Sequence, residues 1–373
     1  MTGESGQSEL ETGIESEVHP DVPSHSDIKE MFGSRSSTYE NYHKLIFDYL
    51  YSLDDDEVVT SDQIIENAIN KGEKADKGDS TKSKYIRQVQ VYDPSLADKV
   101  IDKCPPGQVL LLKARERTGK DINSQTLNEI QRECTKIGQE AKERYHEYSL
   151  DNYRAQTVEE TGLEIPDSGM VDVEVFDQLL KEFAFIVADD LPEKITSFDN
   201  SITGCGGVAN ELIGVRVLSE AGLVEGEDFA REGTDGNEDI AVHRIDGSDK
   251  MEVEVKSNAA RERIPRALAE MNPPTALFSF LKTASEVRSQ IISGSSLGSP
   301  WPENSAVAYV PPSTIEGVKE LDEDKSDDKT IHELEKDGKL YLRANNLFAE
   351  DMKSFHETGE LTDVDADHHS NYV

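Results

Sequence analysis

Apolar and charged positions alternate most sharply at Met251-Glu-Val-Glu-Val-Lys256. Met251, Val253 and Val255 fall on one side of an extended chain, and Glu252, Glu254 and Lys256 on the other. A period of two predicts a β-strand with its apolar face in a core. Asp239-Ile-Ala-Val predicts a second strand just ahead of it, making a hairpin. Further apolar patterns flank this pair. An apolar helix is expected over Val175–Ala188. After a turn at Gly204-Cys-Gly-Gly207, Leu212, Val215, Val217 and Leu218 mark the buried stripe of a helix over Val208–Ala221. Helices are expected from about Pro265 and over Phe278–Ile292, and Ala306–Val310 reads as a strand closed by Pro311-Pro312. This order predicts an α/β fold, a three-layer core with a mixed β-sheet.

The N-terminal half is patterned differently. Tyr42, Leu45, Ile46, Tyr49 and Leu50 repeat at helical spacing, Thr60 and Gln63 have the spacing of a capping box, and Asp121–Tyr148 reads as one or two helices. Val109–Leu112 is a short apolar segment after a Pro-Pro-Gly turn. The expected organisation is a disordered acidic tail over 1–35, a mostly helical N-terminal domain over 36–165, the α/β domain over 166–350, and a second acidic tail over 351–373. The helical domain suits DNA binding, through a helix-turn-helix, or dimerisation.

Charge changes the picture of the surroundings. Among 373 residues, 76 are acidic and 39 basic, a formal net charge of −37. Such an excess repels itself in dilute salt and is tolerable where screening is short-ranged. It resembles the haloadaptive surfaces of salt-in archaeal proteins. Cys104, Cys134 and Cys205 are widely spaced and form no CxxC pair, which fits a reducing compartment. No apolar run approaches membrane-spanning length. These features predict a soluble, cytoplasmic protein with no membrane partner.

The charged face of the Met251 strand carries the chemistry. Phosphodiester hydrolysis needs an activated water, compensation of charge on the phosphorus centre and help for the leaving oxygen. Carboxylates holding Mg²⁺ supply much of this, and a lysine beside them orients water and screens developing charge. Asp239, Glu254 and Lys256 are those groups. Glu-x-Lys recurs at Glu140/Lys142 and Glu323/Lys325, but without β alternation or an acid-bearing strand ahead of it.

From about Asn200 to Pro312 these residues resemble the PD-(D/E)xK nuclease superfamily, the fold of most type II restriction endonucleases. Glu238 stands where the family usually has a proline, and Glu211 matches a further metal-facing glutamate on the preceding helix. A narrower resemblance follows in Lys256-Ser-Asn-Ala-Ala-Arg261-Glu262-Arg263-Ile-Pro265-Arg266. It is similar to the branch that reads CCGG and related CC/GG sites, where an Arg-Asp/Glu-Arg triplet follows the lysine. In that branch the metal-binding glutamate is moved to the next helix, which is the position of Glu270. Here Glu254 also fills the ordinary place, so either carboxylate completes the set.

The resemblance implies a Mg²⁺-dependent, site-specific double-strand DNA endonuclease. Asp239 with Glu270 or Glu254 would hold the metal, Lys256 would face the attacking water, and Arg261, Glu262 and Arg263 would read G·C pairs. Arg266 belongs to the same DNA-facing stretch, since Lys256–Gln290 carries six basic and three acidic residues within an acidic chain. Lys71–Arg87 has the same balance. The implied partners are double-stranded DNA, a homodimer or tetramer matching a palindrome, and a methyltransferase encoded nearby. The alternatives are a repair or junction nuclease of the same fold, or an inactive DNA-binding regulator.

Overall fold

A computed structural model of the chain describes residues 21–71, 78–162, 173–175, 177–178, 181, 191–231, 238–256, 274–287, 307–323, 335–336, 339–340 and 342–363. The chain divides into two compact units, Met1–Val100 and Ile101–Val373.

The first unit is helical. Helix α1 (His25–Phe32) opens on a capping box in which Ser24 and Asp27 exchange side-chain and backbone hydrogen bonds, and Ile28 is fully buried. It lies inside the segment expected to be a tail. The polar composition of residues 1–35 outweighs a signal that rests on one cap and one buried anchor. A π-turn at Tyr39–His43 leads into α2 (Lys44–Tyr51). Helix α3 (Ser61–Asn67) starts at the predicted Thr60/Gln63 box, and α4 (Asp79–Tyr92) completes a core around Ile46, Phe47, Leu50, Ile64, Ile86 and Val89.

In the second unit three helices, α5 (Gly107–Thr118), α6 (Leu127–Thr161) and α7 (Leu191–Glu220), share one core with the sheet. The division between units therefore follows Val100 and does not fall near residue 165. Apolar periodicity shows that α5 and α6 have a buried face, but not which partner buries it. Helix α5 also replaces the short apolar segment expected at Val109–Leu112. The expected turn at Gly204–Gly207 is corrected too, because α7 runs straight through it. Glycine costs a helix interior about 1 kcal/mol relative to alanine. Here Cys205, among these glycines, and Ala209, just after them, are buried in the core.

The sheet has six strands in the order β1-β2-β3-β4-β5-β8. These are β1 (Phe229–Arg231), β2 (Ile240–His243), β3 (Lys250–Lys256), β4 (Thr275–Ser279), β5 (Val307–Val310) and β8 (Leu342–Ala344). A separate two-stranded ribbon pairs β6 (Glu335–Lys336) with β7 (Lys339–Leu340). The first three strands run antiparallel, and β3, β4, β5 and β8 run parallel, so the sheet is mixed as predicted. Met251, Val253 and Val255 face the core shared with α7, while Leu277, Ala308 and Val310 bury the opposite face, as a three-layer α/β core requires.

Strand β4 and the short helix α8 (Ala284–Val287) occupy the start of the region expected to be the helix Phe278–Ile292. All five residues of β4 are buried. A central parallel strand reads as a continuous apolar run, and its periodicity cannot be told from that of a buried helix. Helix α9 (Pro312–Glu323) follows β5, and α10 (Phe348–Thr358) follows β8. Helix α10 carries the fold into the expected C-terminal tail, with Asp351, Met352 and Phe355 buried. No described helix is long and apolar enough to cross a membrane.

Candidate active site

Asp239 sits immediately before β2. Its backbone amide donates to Val253 O at 3.1 Å, which continues the β2–β3 ladder, and its Oδ2 accepts from the Val255 amide at 2.7 Å. Ile240 faces Val253 in the antiparallel register, so one step further places Asp239 opposite Glu254. Two residues along the same face, Lys256 Nζ lies 3.8 Å from Asp239 Oδ2 and in direct contact with Glu254 Oε1. The hairpin thus brings the three residues together by ladder geometry alone.

The charged face of β3 is not solvated. Glu252 is 2% exposed and Glu254 5%, while the Asp239 and Lys256 side chains keep about a quarter of their surface, at 26% and 23%. Burial pushes the Glu254 carboxyl up to about 7, the charge of Asp239 adds to this, and Lys256 opposes it. The charge on Glu211, half-buried on α7, also raises it. Two acids therefore act electrostatically on Glu254, with one ammonium between it and Asp239.

A neighbouring cluster escaped the sequence reading. Lys250 Nζ contacts Glu238 Oε1 at 2.8 Å and Glu252 Oε1 at 2.9 Å. Extending the β3 alternation one step backward places Lys250 on the same face as Glu252, Glu254 and Lys256. No local pattern signals Glu238, which is 4% exposed and leaves its Oε2 without a partner among the described residues. Lys250 accounts for the charge of Glu238 and Glu252, and Asp239 and Glu254 share the second lysine. Glu238 ties the chain beside Asp239 to β3 through Lys250.

The residues Arg261, Glu262, Arg263, Arg266 and Glu270 lie outside the described residues, as does the helix expected from Pro265. Among the described residues no group of three or more His, Cys, Asp or Glu side chains is assembled closely enough to hold a metal ion. The candidate donors among the described residues are Asp239 and Glu254. Mg²⁺ is commonly held by one or two carboxylates together with water and substrate phosphate. Two hard oxygen donors, one of them burdened by like charge, fit that requirement.

No family model matches the chain, and no curated protein matches it. Among solved structures, the chain is similar to restriction endonuclease PspGI in a complex with substrate DNA. The identity is 14% and the TM-score 0.41, over 68% of this chain and 93% of that one.

Proposed function

We propose that this chain is a Mg²⁺-dependent endonuclease that cuts double-stranded DNA at a specific site, in the manner of type II restriction enzymes. The observation that carries the reading is the convergence of Asp239, Glu254 and Lys256 at one end of the β2–β3 hairpin. Asp239 and Glu254 are the metal-holding pair, with Glu270 the other candidate for the second place and Glu211 a further acid. Bound there, Mg²⁺ would supply a water acidic enough to attack at neutral pH and would offset charge on the phosphoryl oxygens. Lys256 holds that water against the phosphorus and compensates the negative charge that grows on the non-bridging oxygens. Asp239 is kept in place by the Val255 amide, so its remaining oxygen is free to point at the same centre.

Arg261 and Arg263 are assigned to guanine O6 and N7, Glu262 to cytosine N4, and Arg266 to the same DNA face. The helical unit is assigned to flanking DNA or to the contact of a dimer, whose two-fold axis would match a palindrome. The experiment is incubation of plasmid with the protein and Mg²⁺ in concentrated KCl, with Asp239→Asn alongside. Discrete fragments that disappear in Asp239→Asn are expected. Cutting confined to branched or damaged DNA would point to a junction or repair nuclease, and a gel shift without cutting to a regulator.

A further inference from the structure

On the edge of the sheet where the parallel strands end, a cavity of about 540 Å³ opens. That volume lies within the range of sites that enclose small ligands. The carboxyl ends of parallel strands are also where open α/β sheets most often bind. Phe280 and Lys282 follow β4, Asn346 follows β8, and Asn128, Gln131 and Arg132 come from α6. The first turn of α9 closes another side through Ser313 and Thr314, which brings the positive end of a helix dipole to the cavity. The Phe280 amide donates to Lys256 O at 3.1 Å, so the cavity begins next to the backbone of the candidate catalytic lysine.

Its polar lining is built and not merely exposed. Asn128 and the fully buried Asn345 exchange amide hydrogen bonds, Nδ2 to Oδ1 at 2.8 Å in each direction, and Asn345 also donates to Ser279 O at 3.2 Å. Asn346 Nδ2 donates to Ser124 O at 2.6 Å, leaving its Oδ1 with only a long contact to Asn128 at 3.4 Å. Gln131 is 4% exposed, and its Nε2 donates to Thr135 Oγ1 at 3.1 Å. Among the described residues its Oε1 has no partner. Gln131 and Asn346 both line the cavity, each with an amide oxygen that is unengaged or only weakly engaged among the described residues.

Two cations share the space. Arg132 Nε donates to Asn128 O at 3.3 Å within its own helix. The Lys282 backbone amide, not its ammonium, donates to Glu286 Oε2 at 3.1 Å. Glu129 also lines the cavity, and its carboxylate is taken by Lys120. Nearby cations are paired: Lys120 with Glu129 at 2.5 Å, Arg117 with Glu140 at 2.8 Å. In a chain of net charge −37, two cations lining one cavity, whose acidic lining residue Glu129 is paired with Lys120, mark a place for an anion.

We infer that this cavity is a nucleotide subsite. Arg132 and Lys282 hold the phosphate, and Gln131 Oε1 and Asn346 Oδ1 accept from the exocyclic amine of the base. The inference deepens the endonuclease reading, on which it rests for the nucleotide's source in a DNA strand. The same chemistry would take a free nucleotide. Acceptors at the base edge favour adenine or cytosine over thymine, which has no exocyclic amine.

The test is DNA binding in EDTA, so that no cleavage intervenes. Fluorescence anisotropy of a labelled duplex is followed across a KCl series for wild type, Arg132→Ala/Lys282→Ala and Gln131→Leu. Free dAMP and dTMP serve as calorimetric probes. Both substituted cations are exposed, so the double variant keeps its fold. It should bind duplex at least about tenfold more weakly, with a salt slope reduced by about two. Gln131→Leu should remove the preference for dAMP over dTMP.

If dAMP binding is lost in the double variant while duplex affinity is unchanged, the subsite serves a free nucleotide. Unchanged binding of both probes, or no binding of either by wild type, overturns the proposal. The two readings fail separately. Pocket variants that bind and cut normally remove the subsite and leave the endonuclease. A wild type that cuts nothing yet binds nucleotide through Arg132 and Lys282 removes the endonuclease and leaves the subsite.

Discussion

Lys256 Nζ stands 3.8 Å from Asp239 Oδ2, although the two residues enter the site from different strands. The same ammonium touches Glu254, so one cation is shared by the two facing acids. Lys256→Met leaves those acids uncompensated and removes the group that would meet the attacking water. Cleavage should fall by about 10²–10⁴-fold, the range for losing a positioned acid–base group. DNA affinity measured without metal should be nearly unchanged. A variant that cuts at the wild-type rate would assign the lysine to packing alone.

The two candidate glutamates make separable predictions. Glu254 is placed beside Asp239 by the hairpin register and carries the strained charge that a cation would relieve. Glu254→Gln should abolish Mg²⁺-supported cleavage, and Glu270→Gln should leave the rate within about tenfold of wild type. Titrating activity against Mg²⁺ for both variants checks this. The reverse pattern would move the second metal ligand to the helix after Lys256, as in the CC/GG-reading branch.

The site was more legible than the fold around it, for a physical reason. An alternating strand states in its own residues which side chains share a face, so Glu254 and Lys256 could be paired from sequence. The hairpin to Asp239 needed only a short connection. Lys250 belonged to the same alternation. Glu238 did not, because its contact depends on how the chain bends into β2. Strand β4 was misread as helix because full burial erases the period, and α7 was split at its glycines because propensity was weighed without the packing that outweighs it. The boundary after Val100 was invisible in the pattern, since α5 and α6 have ordinary amphipathic faces whose partners lie far along the chain.

The glycines of the α5–α7 contact should not behave alike. A Cβ on Gly107 would lie 2.8 Å from Cys205 O, Ala209 N and Val208 Cβ, so α5 approaches α7 as closely as backbone allows. Gly107→Ala must push the helices apart and should destabilise the second unit by about 1–3 kcal/mol. Gly204 is exposed within α7, and a Cβ there meets nothing within 4 Å. Gly204→Ala should stabilise by about 0.5–1 kcal/mol through helix propensity. Urea unfolding monitored by circular dichroism gives both signs in one experiment, and equal effects would contradict the close approach at Gly107.

His43 makes the stability of the first unit depend on pH. Its ring is fully buried, with Nε2 2.9 Å from Gln88 Oε1 and Nδ1 without a partner among the described residues. Burial lowers its pKa below the usual 6.5, and the Gln88 contact offsets this only in part. The unfolded chain takes up a proton near 6.5 that the folded chain refuses. The contribution is therefore complete above that pH and is lost as pH falls from 6.5 toward the lower folded value. The limiting slope is about 1.4 kcal/mol per pH unit for one proton. Carboxylates titrate in acid as well, so the quantity to read is the difference between wild type and His43→Gln, which cannot charge. Urea midpoints should converge as pH drops below about 6.5, with wild type losing more. Parallel profiles would mean that the folded protein accepts the His43 proton after all.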